Sequence, residues 1–264
     1  MPLRAILFDM DGVLYNDRTP IEGAVDALRW VERQNIPHLF VTNTTSHSRA
    51  WLAEKLNRLG FPGSTDQILT PSAAASVWLK SQQTGKVALF IRESARSEFE
   101  GLDWLPEDAE IGADYVVIGD LGRLWDYATL NRAFRLLHHN PEAKLIALGM
   151  TRYWLAEDGI SLDAAPFVVA LEHASRRSAI VLGKPSEDFF LTAAQKLMLP
   201  PSDLLMIGDD IEADVAGAQA AGIRGALVRT GKFRPSDLQQ AKKPDVILDS
   251  VSALPGWWSE NRNR

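Results

Sequence analysis

A short apolar run near the start of the chain ends in two aspartates and a glycine, in the stretch AILFDMDGVLY at residues 5–15. Because residues 5–8 are apolar throughout and do not alternate, they predict a strand covered on both faces, as in a parallel sheet. Asp9 and Asp11 then lie at its carboxyl end, which is the edge where open α/β sheets bind ligands. Gly12 allows the chain to turn away at once. The stretch therefore predicts a strand of a parallel α/β sheet that carries both aspartates at its carboxyl end.

The pair Asp9 and Asp11 allows two interpretations. Both could be turn or helix-cap residues, which is a common role of aspartate after a strand. If the strand continued, alternation would place both carboxylates on the same side, where they repel each other unless a cation or a shared proton relieves them. The pair alone does not decide between a cap and a charged site.

A second strand ends in a run of small polar residues. The segment IEGAVDALRWVERQN has apolar residues at helical spacing, and HLFV at residues 38–41 then reads as the next strand of a β-α-β unit. Thr42, Asn43, Thr44, Thr45 and Ser46 follow it. Their hydroxyl and amide groups suit phosphoryl oxygens, although Ser46 could also cap the helix that follows.

Two later segments place charges after apolar runs. In AIVLGKPSEDFF, residues 179–182 read as a strand and Lys184 follows it; a lysine there could equally be an ordinary surface residue. In LLMIGDDIEAD, Asp209 and Asp210 follow another strand, and Asp214 lies one helical turn beyond Asp210. Carboxylates can cap helices, but this many exceed what capping requires, and clustered oxygen ligands select Mg²⁺ or Mn²⁺.

Composition limits the classes of partner. The chain has 264 residues, of which 46% are hydrophobic, and a net charge of −6, so no basic surplus exists to neutralise nucleic acid or an anionic membrane. It contains no cysteine, which excludes thiolate chemistry and fits a cytoplasmic location. No stretch is long and apolar enough to span a bilayer. We therefore expect small or protein-borne substrates, with neither nucleic acid nor membrane binding.

Taken together, FDMDGVLY, VTNTT, GKPSEDFF and MIGDDIEAD resemble, in order, the four motifs of the haloacid dehalogenase (HAD) superfamily. Thirty-one residues separate Asp11 from Thr42, which leaves no room for a cap domain there, whereas 141 residues separate Asn43 from Lys184. That layout resembles the NagD-like branch. IRESARSEFEGLD and VRTGKFRPSD resemble its phosphatases of phosphoramidates and pyrophosphate.

The resemblance implies a fold and a domain plan. The fold is α/β, with a doubly wound parallel sheet in a Rossmann-like HAD core and an inserted α/β cap domain. We expect the first part of the core at residues 1–84, the cap at residues 85–178 and the second part of the core at residues 179–264. Relatives often pair through the cap, so a homodimer formed there is expected as well.

The resemblance also implies a hydrolytic mechanism. Asp9 would attack phosphorus to form an aspartyl-phosphate, and Asp11 would act as acid and then as base. Thr42 and Asn43 would hydrogen-bond the phosphoryl group, and Lys184 would neutralise it and orient Asp9.

A magnesium ion would be the cofactor. The resemblance implies that it is held by Asp9, by the backbone carbonyl of Asp11 and by Asp209. Asp210 and Asp214 would hold its waters and Lys184 in place.

The expected function is therefore a Mg²⁺-dependent phosphatase of a phosphomonoester, a phosphoramidate or pyrophosphate. A phosphoryl-transfer mutase and a non-catalytic sensor of a phosphorylated ligand are the alternatives. Cap residues would set specificity, and Arg92, Arg152, Tyr153 and His173 are candidates by their chemistry alone.

Overall fold

The computed structural model describes residues 2–82, 85–156 and 159–262. The chain divides into two compact units, one formed by residues 1–42, 49–69 and 184–264, and the other by residues 43–48 and 70–183. Within the described residues, no helix combines the length and the apolar character needed to cross a bilayer.

The strands, in chain order, are β1 (Ala5–Asp9), β2 (Tyr15–Asn16), β3 (Thr19–Pro20), β4 (His38–Val41), β5 (Ile68–Leu69), β6 (Val87–Phe90), β7 (Tyr115–Ile118), β8 (Lys144–Ala147), β9 (Tyr153–Ala156), β10 (Gly159–Leu162), β11 (Ile180–Val181), β12 (Leu204–Gly208), β13 (Arg224–Val228) and β14 (Val246–Leu248). The α-helices are α1 (Ala24–Arg33), α2 (Arg49–Arg58), α3 (Pro71–Ser81), α4 (Tyr127–His139), α5 (Ala165–Ser175), α6 (Glu187–Leu197), α7 (Gly217–Ala220) and α8 (Leu254–Asn261). A π-helical turn, Ile211–Ala216, precedes α7.

The first unit is built on a parallel sheet with strand order β14-β13-β12-β1-β4-β5. The chain starts at β1 in the middle and adds strands on both sides of it. Right-handed crossovers in opposite directions place helices on both faces, so the sheet is doubly wound, as the sequence predicts. Side-chain alternation along β1 sends Ile6 and Phe8 to the core cluster that also contains Leu28 of α1 and Leu56 of α2.

The second unit is an α/β structure of its own. Its four-stranded sheet has the order β11-β8-β7-β6, and all three pairings are parallel. Val117 of β7 packs in the cluster that contains Leu79 of α3, whereas Val116 packs with Leu136 of α4. Helices therefore cover both faces of this sheet. An antiparallel hairpin of β9 and β10 follows β8 in the chain and forms a separate two-stranded sheet.

One feature of this unit differs from the sequence prediction. Residues 179–182 were expected to form a strand of the same sheet as β1, but β11 pairs with β8 in the smaller sheet. A short apolar run specifies a strand and not its partner. The second unit consists of residues 43–48 and 70–183, and the predicted cap bounds of 85 and 178 stay a prediction. The predicted boundary at residue 84 lies outside the described residues, and the role of this unit as a cap stays a prediction.

Candidate active site

Three buried aspartates lie together at the carboxyl edge of the larger sheet. Asp9 is the last residue of β1, Asp209 follows the neighbouring strand β12, and Asp214 belongs to the π-helical turn after it. One carboxylate oxygen from each lies within 4.8 Å of the others. Because β1 and β12 pair in parallel, their ends bring the first two carboxylates together, and the turn brings back the third.

Gly208 makes the close approach of this turn possible. A Cβ atom at residue 208 would lie 2.2 Å from Cβ of Asp214, a distance that real Cβ atoms do not adopt. Only glycine allows the π-helical turn to pack this tightly on the end of β12. The glycine in MIGDD is therefore required by the packing of the site itself.

Lys184 lies between two of the buried carboxylates. Its Nζ donates hydrogen bonds of 2.6 Å to Oδ1 of Asp9 and of 2.6 Å to Oδ1 of Asp214. Burial by itself lowers the pKa of Lys184, but the charges of Asp214 and Asp9 outweigh it and raise the pKa above its usual value. The lysine therefore stays protonated and fixes the orientation of both carboxylates.

The two carboxylate oxygens of Asp209 have different environments. Its Oδ2 accepts a hydrogen bond of 2.7 Å from the backbone N–H of Lys232, and Gly12 and Gly231 approach the same carboxylate closely. Its Oδ1 is buried and has no hydrogen-bond partner among the described residues. Burial, together with the charges of Asp9 and Asp214, raises the pKa of Asp209 to about 7.

The donor set fits a hard divalent cation. Three buried carboxylates lie together, Lys184 bonds two of them, and Oδ1 of Asp209 lacks a partner among the described residues. Burying such groups is costly unless a positive charge compensates them. Mg²⁺, which binds oxygen ligands and usually keeps several waters, suits this set. The acidic cluster therefore offers a place for such an ion.

Asp11 lies apart from the buried cluster. The strand ends at Asp9, so the two side chains do not alternate along one strand: Asp9 is buried and Asp11 is exposed. Its backbone bridges to Tyr15, and the N–H of Gly12 donates to the carbonyl of Tyr15 at 2.7 Å. The carboxylate keeps one open side, yet partial burial raises its pKa, against the opposing charge of Lys55. This position suits a group that exchanges protons with a ligand.

Asp210 organises the turn. Its Oδ1 accepts hydrogen bonds from the backbone N–H groups of Glu212 (3.0 Å) and Ala213 (2.9 Å), so it caps the turn. Its own N–H donates to Oδ2 of Asp214 at 3.1 Å. Its other oxygen, Oδ2, lies 3.7 Å from Nζ of Lys232. Asp210 is therefore a capping residue, as one interpretation of the sequence proposed. Its N–H also holds Asp214, which in turn accepts a hydrogen bond from Lys184.

The small polar run divides between the two units. Thr42 is buried at the end of β4, beside β1, and its backbone N–H donates to the carbonyl of Leu69 at 3.2 Å. Asn43 belongs to the second unit, where its side-chain oxygen faces Gly183. Phosphate binding by Thr42 and Asn43 stays a prediction.

The candidates for specificity occupy different environments within the second unit. Nη2 of Arg92 lies 3.1 Å from Oδ2 of Asp120, an ion pair that holds this arginine. Arg152, Tyr153 and His173 are exposed, and the guanidinium of Arg152 lies 6.0 Å from the centre of the Tyr153 ring. The structure does not bring these four side chains into one cluster.

Sequence reasoning missed two contributors to the site. Gly231 and Lys232, in VRTGKFRPSD, follow β13, which neighbours β12, and both contact Asp209 or Asp210. The signal was present: a glycine and a lysine shortly after another apolar strand of the same sheet. Lys55, close to Asp11, carries no comparable signal because it lies inside α2.

Comparisons with known proteins agree with this geometry. Residues 6–104 match the haloacid dehalogenase-like hydrolase family, and residues 181–254 match a second HAD-hydrolase-like family. A human protein, phospholysine phosphohistidine inorganic pyrophosphate phosphatase, is 39% identical over 255 residues, which cover 95% of this chain and 92% of the human one.

Solved structures share the whole fold. The p-nitrophenyl phosphatase from Archaeoglobus fulgidus superposes with a TM-score of 0.87 at 28% identity, covering 96% of this chain and 98% of that one. NagD from E. coli K-12, at 21% identity, has the same fold, with a TM-score of 0.85 over 96% of this chain and 98% of its own. With the likeness to the human phosphatase running almost from end to end, the chain belongs to the haloacid dehalogenase-like hydrolases, among their phosphatases.

Proposed function

We propose that this protein is a Mg²⁺-dependent phosphatase that works through an aspartyl-phosphate on Asp9. The observation that carries the proposal is the buried pair in which Nζ of Lys184 holds Oδ1 of Asp9 at 2.6 Å. A carboxylate oriented in this way by a lysine ammonium can act as a nucleophile. Few structural roles would require an aspartate and a lysine to be buried together at a ligand-binding sheet edge.

In the first half of the reaction, a carboxylate oxygen of Asp9 forms a bond to phosphorus while the bond from phosphorus to the leaving group breaks. Asp11, protonated, donates its proton to the departing atom. Its raised pKa increases the fraction that carries this proton. Lys184 remains hydrogen-bonded at Asp9 and offsets the charge that gathers on the phosphoryl oxygens.

In the second half, water attacks phosphorus and releases Asp9. Asp11, now ionised, removes a proton from that water, so each turnover consumes one water and restores both carboxyl groups. Thr42 and Asn43 are assigned to the phosphoryl oxygens in this scheme.

Asp9, the backbone carbonyl of Asp11 and Asp209 are assigned to the metal. When bound, Mg²⁺ supplies positive charge that neutralises the phosphoryl oxygens and orients them toward Asp9. The unpartnered Oδ1 of Asp209 supports this assignment. Asp214, bonded to Lys184, and Asp210, the cap of the turn, hold the lysine and the metal's waters in position.

The substrate class follows from the relatives. The human relative is named for phospholysine, phosphohistidine and inorganic pyrophosphate. We therefore propose that this chain hydrolyses a small phosphomonoester, a phosphoramidate or pyrophosphate. A cytoplasmic location and a homodimer formed through the cap remain predictions alongside this one.

A chemical trap tests the covalent step. The enzyme is mixed with p-nitrophenyl phosphate and Mg²⁺, quenched, and treated with borohydride, which reduces an acyl phosphate on aspartate to homoserine. Peptide mass spectrometry should find this conversion at residue 9, and Asp9→Asn should show none. Conversion at Asp209 or Asp11 instead would show that the nucleophile is assigned wrongly. Binding of beryllium fluoride without turnover of any phosphoester would favour a non-catalytic sensor.

A further inference from the structure

Lys55 is held in a defined place next to Asp11, although the proposed chemistry makes no use of it. It lies in α2 and is half-buried. Its Nζ lies 4.2 Å from the centre of the Tyr15 ring and 6.0 Å from that of Trp51. An ammonium group is attracted to the face of an aromatic ring. The charge of Lys55 therefore has a preferred position, whereas the side chain of a typical surface lysine samples many rotamers.

The contacts of Tyr15 place that charge beside Asp11. The backbone of Asp11 bridges to Tyr15, and the N–H of Gly12 donates to the Tyr15 carbonyl at 2.7 Å. The ring that carries Lys55 therefore belongs to the residue paired with Asp11. Burial lowers the pKa of Lys55, and the charge of Asp11 opposes that shift, so the two charges interact.

Other charges near Lys55 offset one another. Asp17 and Arg18 are adjacent, opposite in charge and exposed to solvent. Arg58, one turn along α2, is also exposed. Solvent screens such groups more strongly than it screens a half-buried ammonium. Lys55 is therefore the main positive charge that a molecule bound at Asp11 would meet from this helix.

The acid of a phosphatase must lie within hydrogen-bond reach of the atom that leaves. A leaving group held at Asp11 would thus lie in the field of Lys55. We propose that Lys55 determines specificity by selecting substrates whose leaving group carries negative charge next to the scissile bond. This inference rests on the proposed function. A second phosphate or a carboxylate supplies such a charge, whereas a leaving group that ends in an ammonium is disfavoured.

The first test compares the effect of Lys55→Met on three substrates. Pyrophosphate has an anionic leaving group, ethyl phosphate a neutral one and phosphoethanolamine a cationic one. We expect kcat/KM to fall about tenfold for pyrophosphate, mostly through KM, as Coulomb attraction at a partly buried site allows. It should change less than about twofold for ethyl phosphate and should rise for phosphoethanolamine.

Two further variants serve as controls. Lys55→Arg keeps the charge and should retain the preference for pyrophosphate. Arg58→Gln removes a positive charge that lies one turn along the same helix and is exposed to solvent, which screens it, and should leave the ratio between substrates unchanged. An equal fall for all three substrates in Lys55→Met would show that Lys55 only supports Asp11, and no fall for pyrophosphate would also overturn the proposal.

A binding measurement separates this proposal from the proposed function. This measurement needs no turnover and uses the Asp9→Asn protein. Calorimetry in the presence of Mg²⁺ compares the affinity of that protein for methylenediphosphonate with its affinity for ethylphosphonate. Lys55→Met should weaken binding of the diphosphonate about tenfold and leave that of ethylphosphonate unchanged. Equal weakening of both ligands, or of neither, would contradict the role of Lys55. Loss of all turnover in the wild type with this selectivity intact would contradict only the catalytic proposal.

Discussion

Asp209 illustrates how the fold changes an ordinary side chain. In the sequence it is one of two adjacent aspartates after a strand, a common capping pattern. In the structure its Oδ1 is buried and lacks a partner among the described residues, and its pKa is raised to about 7. Burial also raises the pKa of Asp214 to about 6, although Lys184 opposes the shift. The metal-free protein therefore holds protons that a bound cation would displace.

This predicts a pH-dependent stabilisation by Mg²⁺. From about pH 4 to about pH 7 the folded protein keeps a proton on Asp209 that the unfolded chain, with its pKa near 3.8, releases. The free energy of unfolding of the metal-free protein therefore falls as pH rises through this range. Mg²⁺ should raise Tm by roughly 5 °C at pH 8 and by less at pH 5.5, where it competes with the proton. Thermal unfolding with EDTA and with Mg²⁺ at both pH values measures this.

Asp209→Asn provides the control for that prediction, because the amide neither titrates nor binds Mg²⁺ well. The variant should show a weaker pH dependence than the wild type and little response to Mg²⁺. The other titratable groups are the same in both proteins. The difference between their pH dependences of stability therefore reports on residue 209. An equal response to Mg²⁺ in the two proteins would remove Asp209 from the metal site.

At the scale of elements, three neighbouring strands carry the charged and polar groups of the site. β12, β1 and β4 are adjacent and parallel, and they end at Gly208, Asp9 and Val41, next to the functional residues. The π-helical turn returns Asp214 to the end of β12. Each of these three strands is an apolar run followed within a few residues by polar or charged side chains, and this pattern is visible in the sequence.

Helix α3 depends on a cap within the second unit. Oγ1 of Thr70 is fully buried and accepts a hydrogen bond of 3.1 Å from the N–H of Ala73. Thr70→Val keeps the volume but removes this acceptor, so the free energy of unfolding should fall by about 1 kcal/mol. Urea denaturation measures the change. Thr192→Val in α6, where the hydroxyl donates to Asp188 and caps nothing, should change it far less. Equal effects of the two substitutions would mean that the cap does not stabilise α3.

At the scale of the whole molecule, the sequence predicted the strands and the residues at their ends better than their partners. An apolar run is a local property, so β1, β4 and β12 were identifiable. The pairing of β11 with β8 depends on contacts distant in sequence. The hairpin of β9 and β10 and the helix α5 were not predicted. Neither is followed by a motif of the kind that marks the strands of the site.

The buried cluster shows the same limit at the site. Asp9, Lys184, Asp209 and Asp214 were predicted to converge, and the structure brings them together. The separation of Asp11 from them was not predicted, because its cause is the backbone pairing with Tyr15 that ends the strand at Asp9. The approach of Lys232 to Asp209 was also missed: the glycine and lysine after β13 were visible in the sequence, but the backbone contact between Lys232 and Asp209 depends on the pairing of β13 with β12.

The most direct test of this account is phosphate release by the wild type and Asp9→Asn, each with Mg²⁺ and with EDTA. The substrates are p-nitrophenyl phosphate, pyrophosphate, phospholysine, pyridoxal phosphate, sugar phosphates and nucleotides. The account predicts release by the wild type with Mg²⁺, its loss with EDTA, and a fall of about 10³-fold or more in a folded Asp9→Asn protein. Mg²⁺-dependent release that persists in Asp9→Asn would contradict the role of Asp9 as nucleophile.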